Sequence, residues 1–332
     1  MSPRILVTGA AGQIGSELVL ALRKRYGDKN VIATDKAVTR SQVSPGVLEQ
    51  LDVMHLSSVE RAMKSHEVDT VYHLAAILSA VGEANPDLAW DVNMAGLKNV
   101  LDASTKLGVH RVFWPSSIGV YGPDAQKDGA PQETALNPTT MYGVTKVSGE
   151  LLAEYYSLKH DLDVRSVRFP GLISNEAKPG GGTTDYAVEI FYSALQTGRY
   201  TCFLREGTIL PMMYMPDALR AAIELMDADP KRVKLHIGYN IAAMSFSARE
   251  LASEIQKHIS DFRVTYSPDF RQAIADSWPR SIDDSAARKD WGWREEYDLP
   301  AMVTDMLEKL RKRLAVEEKT VPPKNKPGVR RG

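Results

Sequence analysis

Cysteine is almost missing from this chain: of 332 residues only Cys202 carries a thiol. That excludes an internal disulfide and any site built from several cysteines, and it points to a reducing compartment. The ordinary use of one cysteine is as a small buried hydrophobe. Long apolar runs are missing too, none approaching the roughly 18 residues of a membrane span. A strand-like segment, RILVTG, starts at Arg4, which leaves no room for a leader, so export is not expected. Net charge is nearly absent, 41 Lys plus Arg against 42 Asp plus Glu, and offers no case for nucleic acid or an acidic membrane as partner. The 7 histidines do not cluster at ligand spacing, so no metal is expected. The last stretch, EEKTVPPKNKPGVRRG, has almost nothing to bury, and residues 316–332 are expected to form a disordered basic tail.

What is present is a globular composition, 43% hydrophobic and 25% charged. The length suits a large α/β unit with an appended lobe. Short β-branched runs, RILVTG, NVIATD, TVYHLA, RVFWPS and DVRSVRF, alternate with amphipathic helical stretches. These include QIGSELVLALRKRYG, NPDLAWDVNMAGLKNVLDASTKLG and TMYGVTKVSGELLAEYYSLKH. Such alternation predicts an α/β fold with a doubly wound parallel sheet over residues 1–170. After Phe169 the pattern fades, and residues 171–315 are expected to form a smaller C-terminal lobe interleaved with the sheet. Its helices are expected at about Tyr186 to Gln196, in PDALRAAIELMDA, and in SARELASEIQKHI.

Gly9, Gly12 and Gly15, in VTGAAGQIGSEL, lie between the first strand and the first helix. There glycine permits a tight turn, and the helix N-terminus faces a pyrophosphate. Asp35 ends the second strand about 20 residues further on, where a carboxylate would bond a ribose 2′-hydroxyl. Asp35 also opposes a 2′-phosphate, an argument that the neighbouring Lys36 softens without reversing, so NAD is expected rather than NADP. The G-x-x-G-x-x-G spacing resembles the short-chain dehydrogenase/reductase superfamily, with its Rossmann sheet. That resemblance implies cofactor contacts from Gln13, Ile14, Asp52, Val53 and Phe169, and from Tyr142 and Lys146, the lysine holding the nicotinamide ribose. It implies a wall beside the nicotinamide ribose from Leu74, Ala75 and Ala76 of HLAA. His73, in the same strand, is expected to be a core histidine.

YGVTK sets Tyr142 and Lys146 four apart on one helix face. A free tyrosine titrates near about 10. A neighbouring ammonium and the charge of oxidised nicotinamide would both favour the phenolate, making Tyr142 a usable base and Lys146 its partner. Upstream, WPSSIGVYG ends a strand on two serines, either of which could bond a reacting oxygen. Matched to the extended short-chain dehydrogenases, this segment implies Ser117 as the catalytic hydroxyl, with Ser116 the near alternative. The resemblance reaches from Arg4 to the DWGW near Trp291, and it implies that Asn93 lies near the cofactor and Asn99 under the catalytic strand.

Sugar-nucleotide enzymes of that superfamily carry an asparagine where this chain has Gly171 in RFPGLIS. RFPGLIS followed by PGGGTTDYA is instead similar to the short-chain L-threonine 3-dehydrogenases, which implies L-threonine as substrate. In that likeness Thr184 and Ser79 would hold the substrate carboxylate, while Gly182 and Thr183 bring the backbone close. Trp278 would either wall the pocket or anchor the lobe core. Hydride would pass from Cβ to the nicotinamide while Tyr142 takes the hydroxyl proton. An NDP-sugar 4-epimerase or dehydratase is the alternative. The family likeness further implies a homodimer built on helices at about Asn85 to Lys106 and Thr140 to His160. It also implies a soluble intracellular protein, cytoplasmic or in the mitochondrial matrix.

Overall fold

The computed structural model describes residues 2–37, 46–177, 180 and 182–320, with side chains as far as Val316. Lys178, Pro179 and Gly181 of the glycine-rich stretch, and residues 321–332 of the expected tail, lie outside the described residues.

The first half lays down β1 (Ile5–Thr8), α1 (Gln13–Tyr26), β2 (Val31–Asp35), β3 (Val47–Gln50), α2 (Leu56–Ser65) and β4 (Thr70–His73). It continues through α3 (Ser79–Ala84), α4 (Pro86–Trp90), α5 (Gly96–Leu107), β5 (Arg111–Phe113), β6 (Ser116–Ser117), α6 (Met141–His160) and β7 (Asp163–Phe169). The second half adds β8 (Gly171–Ile173), α7 (Tyr186–Gln196), β9 (Arg199–Cys202), β10 (Ile209–Tyr214), α8 (Met215–Asp227) and β11 (Gly238–Asn240). It closes with β12 (Met244–Ser247), α9 (Ala248–Gln256), β13 (Arg263–Tyr266), α10 (Arg271–Ser277), α11 (Ser285–Asp290) and α12 (Leu299–Thr320).

The main sheet runs β3-β2-β1-β4-β5-β7-β11, with β6 also on β7, and every one of these pairings is parallel. This is the expected doubly wound α/β sheet. Its strand order reverses at β1, so the crevice at the carboxyl ends of β1 and β4 is the place where such sheets receive ligands. Both faces are covered, as a parallel sheet requires. Ile5 and Val7 join one buried cluster with α1 and α8, while Leu6 joins another with α2 and α5. A third core, with Ile173, Phe191, Met212, Phe246 and Met306, fills the lobe. There β8, β10 and β12 form a small sheet, and β9 pairs with β13.

The lobe and the sheet share chain. Although β11 lies midway along the lobe in sequence, it returns to the main sheet beside β7, and α8 packs with α1 in one hydrophobic cluster. Two expectations need correction. The long helix read from NPDLAW to STKLG is three pieces, α4, a π-helical turn at Asp91–Ala95, and α5. The widened turn carries Asn93, whose side chain reaches out to the backbone of Ile77, a use of π-turns that is common near functional sites. At the other end, α12 continues to Thr320, past the boundary expected at residue 315.

Candidate active site

The turn after β1 is glycine by steric necessity. Gly9 has φ +69°, and a Cβ there would stand 2.5 Å from the Ala75 nitrogen. A Cβ on Gly15 would lie 2.1 Å from the Gly9 carbonyl oxygen. The backbone is thus folded tightly enough to lead straight into α1, whose N-terminus at Gly12 has no side-chain cap. Such an end suits an anion. The Asp35 carboxylate reaches the same turn, accepting from the Ala11 amide at 3.0 Å. Lys36 turns away to Asp52 at 3.3 Å. The Met54 amide first, and Lys36 after it, hold the Asp52 carboxyl below its ordinary range against the opposing effect of burial. A cradle of bare backbone ending at a carboxylate fits the pyrophosphate and ribose of a dinucleotide.

The ends of β6 and α6 meet beside this cradle. Ser117 accepts from the Gly119 amide at 3.1 Å and faces the Tyr142 phenol, favouring its ionised form. The Ser116 hydroxyl instead donates to Glu150 at 2.5 Å, and Glu150 is also paired with Arg168 at 2.8 Å in a buried ion pair. The geometry therefore separates the two serines: one faces the tyrosine, the other is spent on the core.

Burial dominates the surroundings of the Tyr142–Lys146 pair. Burial raises the Tyr142 phenol above its usual range, against the Ser117 bond that lowers it. Burial likewise pushes Lys146 down to about 7, with Glu150 pulling the other way. Its Nζ donates to the Pro115 carbonyl at 2.6 Å and lies 5.5 Å from the Tyr142 ring centroid. In this dry corner burial disfavours the charged form of each group. His73 shares the environment, its Nδ1 bonded to Thr8 at 2.7 Å. Burial, then Lys146, lowers its pKa to about 3, so it is a neutral core histidine.

The lobe, together with α3, supplies the opposite wall. Ser79, at the start of α3, lies 3.4 Å from the Thr183 hydroxyl, and Asp185 accepts from the Gly182 amide at 2.8 Å. Gln13, Ile14, Leu74, Ala76, Ser79, Ser117, Tyr142, Lys146, Phe169, Gly182, Thr183, Thr184 and Trp278 all line one cavity. Trp278 satisfies both of its expected uses, because the same ring packs in the lobe core.

Other expected residues lie off that wall. Gly9, Gly12, Gly15, Asp35, Lys36 and Asp52 form the neighbouring cradle. Ala75 abuts Gly9 through its backbone. Val53 sits against Gly96, and its carbonyl accepts from Asn99 at 2.9 Å. Asn93 stands behind the cavity, accepting from the Ile77 amide at 2.7 Å and donating to the Ile77 carbonyl and to Thr145. Sequence reasoning missed Asp185, Leu78 and Leu172, which line the cavity. For Asp185 a signal existed: an acidic residue directly before the apolar run of α7, three residues after Gly182.

The family model described as NAD dependent epimerase/dehydratase family matches residues 5–242. An uncharacterized epimerase/dehydratase of Staphylococcus haemolyticus is 50% identical over 319 residues, covering 95% of this chain and 98% of that one. The L-threonine dehydrogenase of Clostridium difficile superposes with a TM-score of 0.92 at 49% identity, over 94% of this chain and 98% of that chain. The holo form of a GalE-like L-threonine dehydrogenase from Cupriavidus necator gives 0.90 at 50% identity, over 93% and 100%. Among the described residues no helix is long and apolar enough to cross a membrane.

Proposed function

The chain belongs to the NAD dependent epimerase/dehydratase family, and from that premise we propose that it oxidises the side-chain hydroxyl of L-threonine, forming 2-amino-3-ketobutyrate and NADH. The observation that carries this reading is one small cavity in which the Ser117–Tyr142 pair faces a clasp of hydroxyls, Ser79, Thr183 and Thr184. About half of all residues are shared, over nearly the full length, with proteins described as L-threonine dehydrogenases.

The Gly9–Gly15 turn, Asp35 and Asp52 would hold NAD, with Leu74, Ala76 and Phe169 beside its nicotinamide. Bound there, the cofactor supplies the hydride acceptor. Ser117 and Tyr142 bond the substrate hydroxyl, and the Tyr142 oxygen takes its proton as the C–H bond at Cβ is lost. Lys146 ties α6 to the carbonyl of Pro115, fixing the distance between the strand end that carries Ser117 and the helix that carries Tyr142. Ser79 and Thr184 donate to the substrate carboxylate in a site from which the loop excludes water. Asp185 latches that loop through Gly182.

The partner in this reading is a second copy of the chain. Leu151, Tyr155 and Leu158 of α6, with Leu88 and Trp90 of α4, are large apolar side chains left exposed, an apolar face that a homodimer would cover.

The test is production of NADH from NAD with L-threonine, run beside D-threonine, L-serine and a UDP-sugar. NADH formed stoichiometrically with L-threonine is the expected result. Interconversion of the sugar without net NADH, and silence with threonine, would replace this reading with that of an epimerase. Gly171 weighs against that outcome, since the resemblance puts a nucleotide-holding asparagine at its position in the sugar-nucleotide enzymes.

A further inference from the structure

Gly171 begins β8 in register with Met212 of β10, lies at the cavity wall, and is buried. Its φ is not in the left-handed region, so backbone freedom does not explain the absence of a side chain. Space does. A Cβ built on Gly171 would stand 2.6 Å from the Thr184 Cγ2 methyl, and 2.4 Å from the Met212 sulfur. The methionine is a flexible chain that can swing aside. Thr184 has no such freedom. It is β-branched, it precedes α7 by two residues, and Asp185 beside it is held to Gly182 from both directions. The Asp185 carboxylate accepts from the Gly182 amide, and the Asp185 amide donates to the Gly182 carbonyl at 3.3 Å.

We infer that Gly171 is a positioning residue for the substrate clasp: the space left by its missing side chain is a notch in which the Thr184 methyl seats. The notch sets how far the Thr183–Asp185 turn descends toward Ser117 and Tyr142. Restoring an ordinary van der Waals contact would move the turn outward by about 1 Å, a displacement large enough to spoil alignment at a reacting centre. The site so formed selects a small hydroxy acid that Thr184 can reach, and any side chain at 171 would open it. This inference rests on the reading that the cavity takes L-threonine.

The experiment is a cycle of Gly171→Ala in three backgrounds: wild type, Thr184→Ser, and Met212→Ala. Serine keeps the hydroxyl and removes the one methyl in conflict, whereas Met212→Ala relieves only the core contact. Gly171→Ala in wild type is expected to raise the KM for L-threonine about tenfold or more, with the Kd for NAD unchanged. It is also expected to speed hydrogen exchange at the Gly182 and Asp185 amides. In the Thr184→Ser background the same substitution should change both readouts less than about threefold, because the coupled pair no longer collides. Unchanged exchange and KM in Gly171→Ala would overturn the inference, and so would rescue by Met212→Ala but not by Thr184→Ser. Exchange is read without substrate. A chain that fails to oxidise threonine yet shows the Thr184-dependent exchange pattern retains the notch and loses only the proposed reaction.

Discussion

Two glycine-bearing turns border the cavity, and glycine does different work in each. After β1, Gly9 and Gly15 are enforced by the protein's own backbone, with a left-handed φ at one and a carbonyl 2.1 Å from the would-be Cβ of the other. At the start of β8 and in the turn before α7, the contacts at Gly171 and Gly182 are to side chains, Thr184, Met212 and Asp185. The first turn is a rigid surface prepared for a ligand. The second makes room for the residues that do the holding, so its geometry depends on what surrounds it. Damage to the first should fall on the cofactor, and damage to the second on the substrate.

The comparison breaks most visibly at the chemistry between the turns. Tyr142→Phe removes the proton acceptor of the proposed reaction, and turnover should fall by about 10³-fold or more with NAD affinity retained. NADH production and calorimetric titration check the two halves; substantial activity in this variant would end the proposed mechanism. Next in size is Gly15→Ala. With no room before the Gly9 carbonyl, the turn must open, and the Kd for NAD should rise about tenfold or more. An unaltered Kd would show that the turn is not the cofactor's seat.

On the substrate side, Asp185→Ala releases the latch on Gly182. The KM for L-threonine should rise several-fold, by about 1 kcal/mol of lost binding, while the Kd for NAD stays put. A parallel rise in both would erase the division of labour between the turns. The smallest effect is a shift in pH. Tyr142 must be deprotonated to act, and burial raises its pKa, so kcat/KM should climb as pH rises above neutrality. The Ser117 bond lowers that pKa, so Ser117→Ala should move the rising limb to higher pH in addition to slowing the reaction. A limb that moves to lower pH would remove Ser117 from contact with the phenol.

Much of the cofactor half was legible because its signals are local. A strand, a glycine turn, a helix and an acidic strand end fall within one stretch of chain, and the five expected strands correspond to β1, β2, β4, β5 and β7. What escaped was short or conditional. β6, of two residues, is too brief to show a period, and β3 ends on polar Glu49 and Gln50 and is not buried, so it lacks the apolar run of the other strands. The π-turn at Asp91–Ala95 answers to Ile77 and Thr145, neither of them near in sequence. The choice between Ser116 and Ser117 hung on Glu150, more than thirty residues away. Asp185 stands within the glycine-rich motif but has no visible partner until the turn is folded.

By itself the sequence determined the doubly wound sheet, the place of the glycine turn between β1 and α1, and the pairing of Tyr142 with Lys146 on one helix face. Each follows from periodicity or steric limits acting over a few residues. Only the tertiary structure decided the ionisation balance of that pair, the seat of Thr184 against Gly171, and the return of β11 to the sheet. Desolvation and van der Waals exclusion depend on which distant segments fill the space around a group, and spacing along the chain does not encode that.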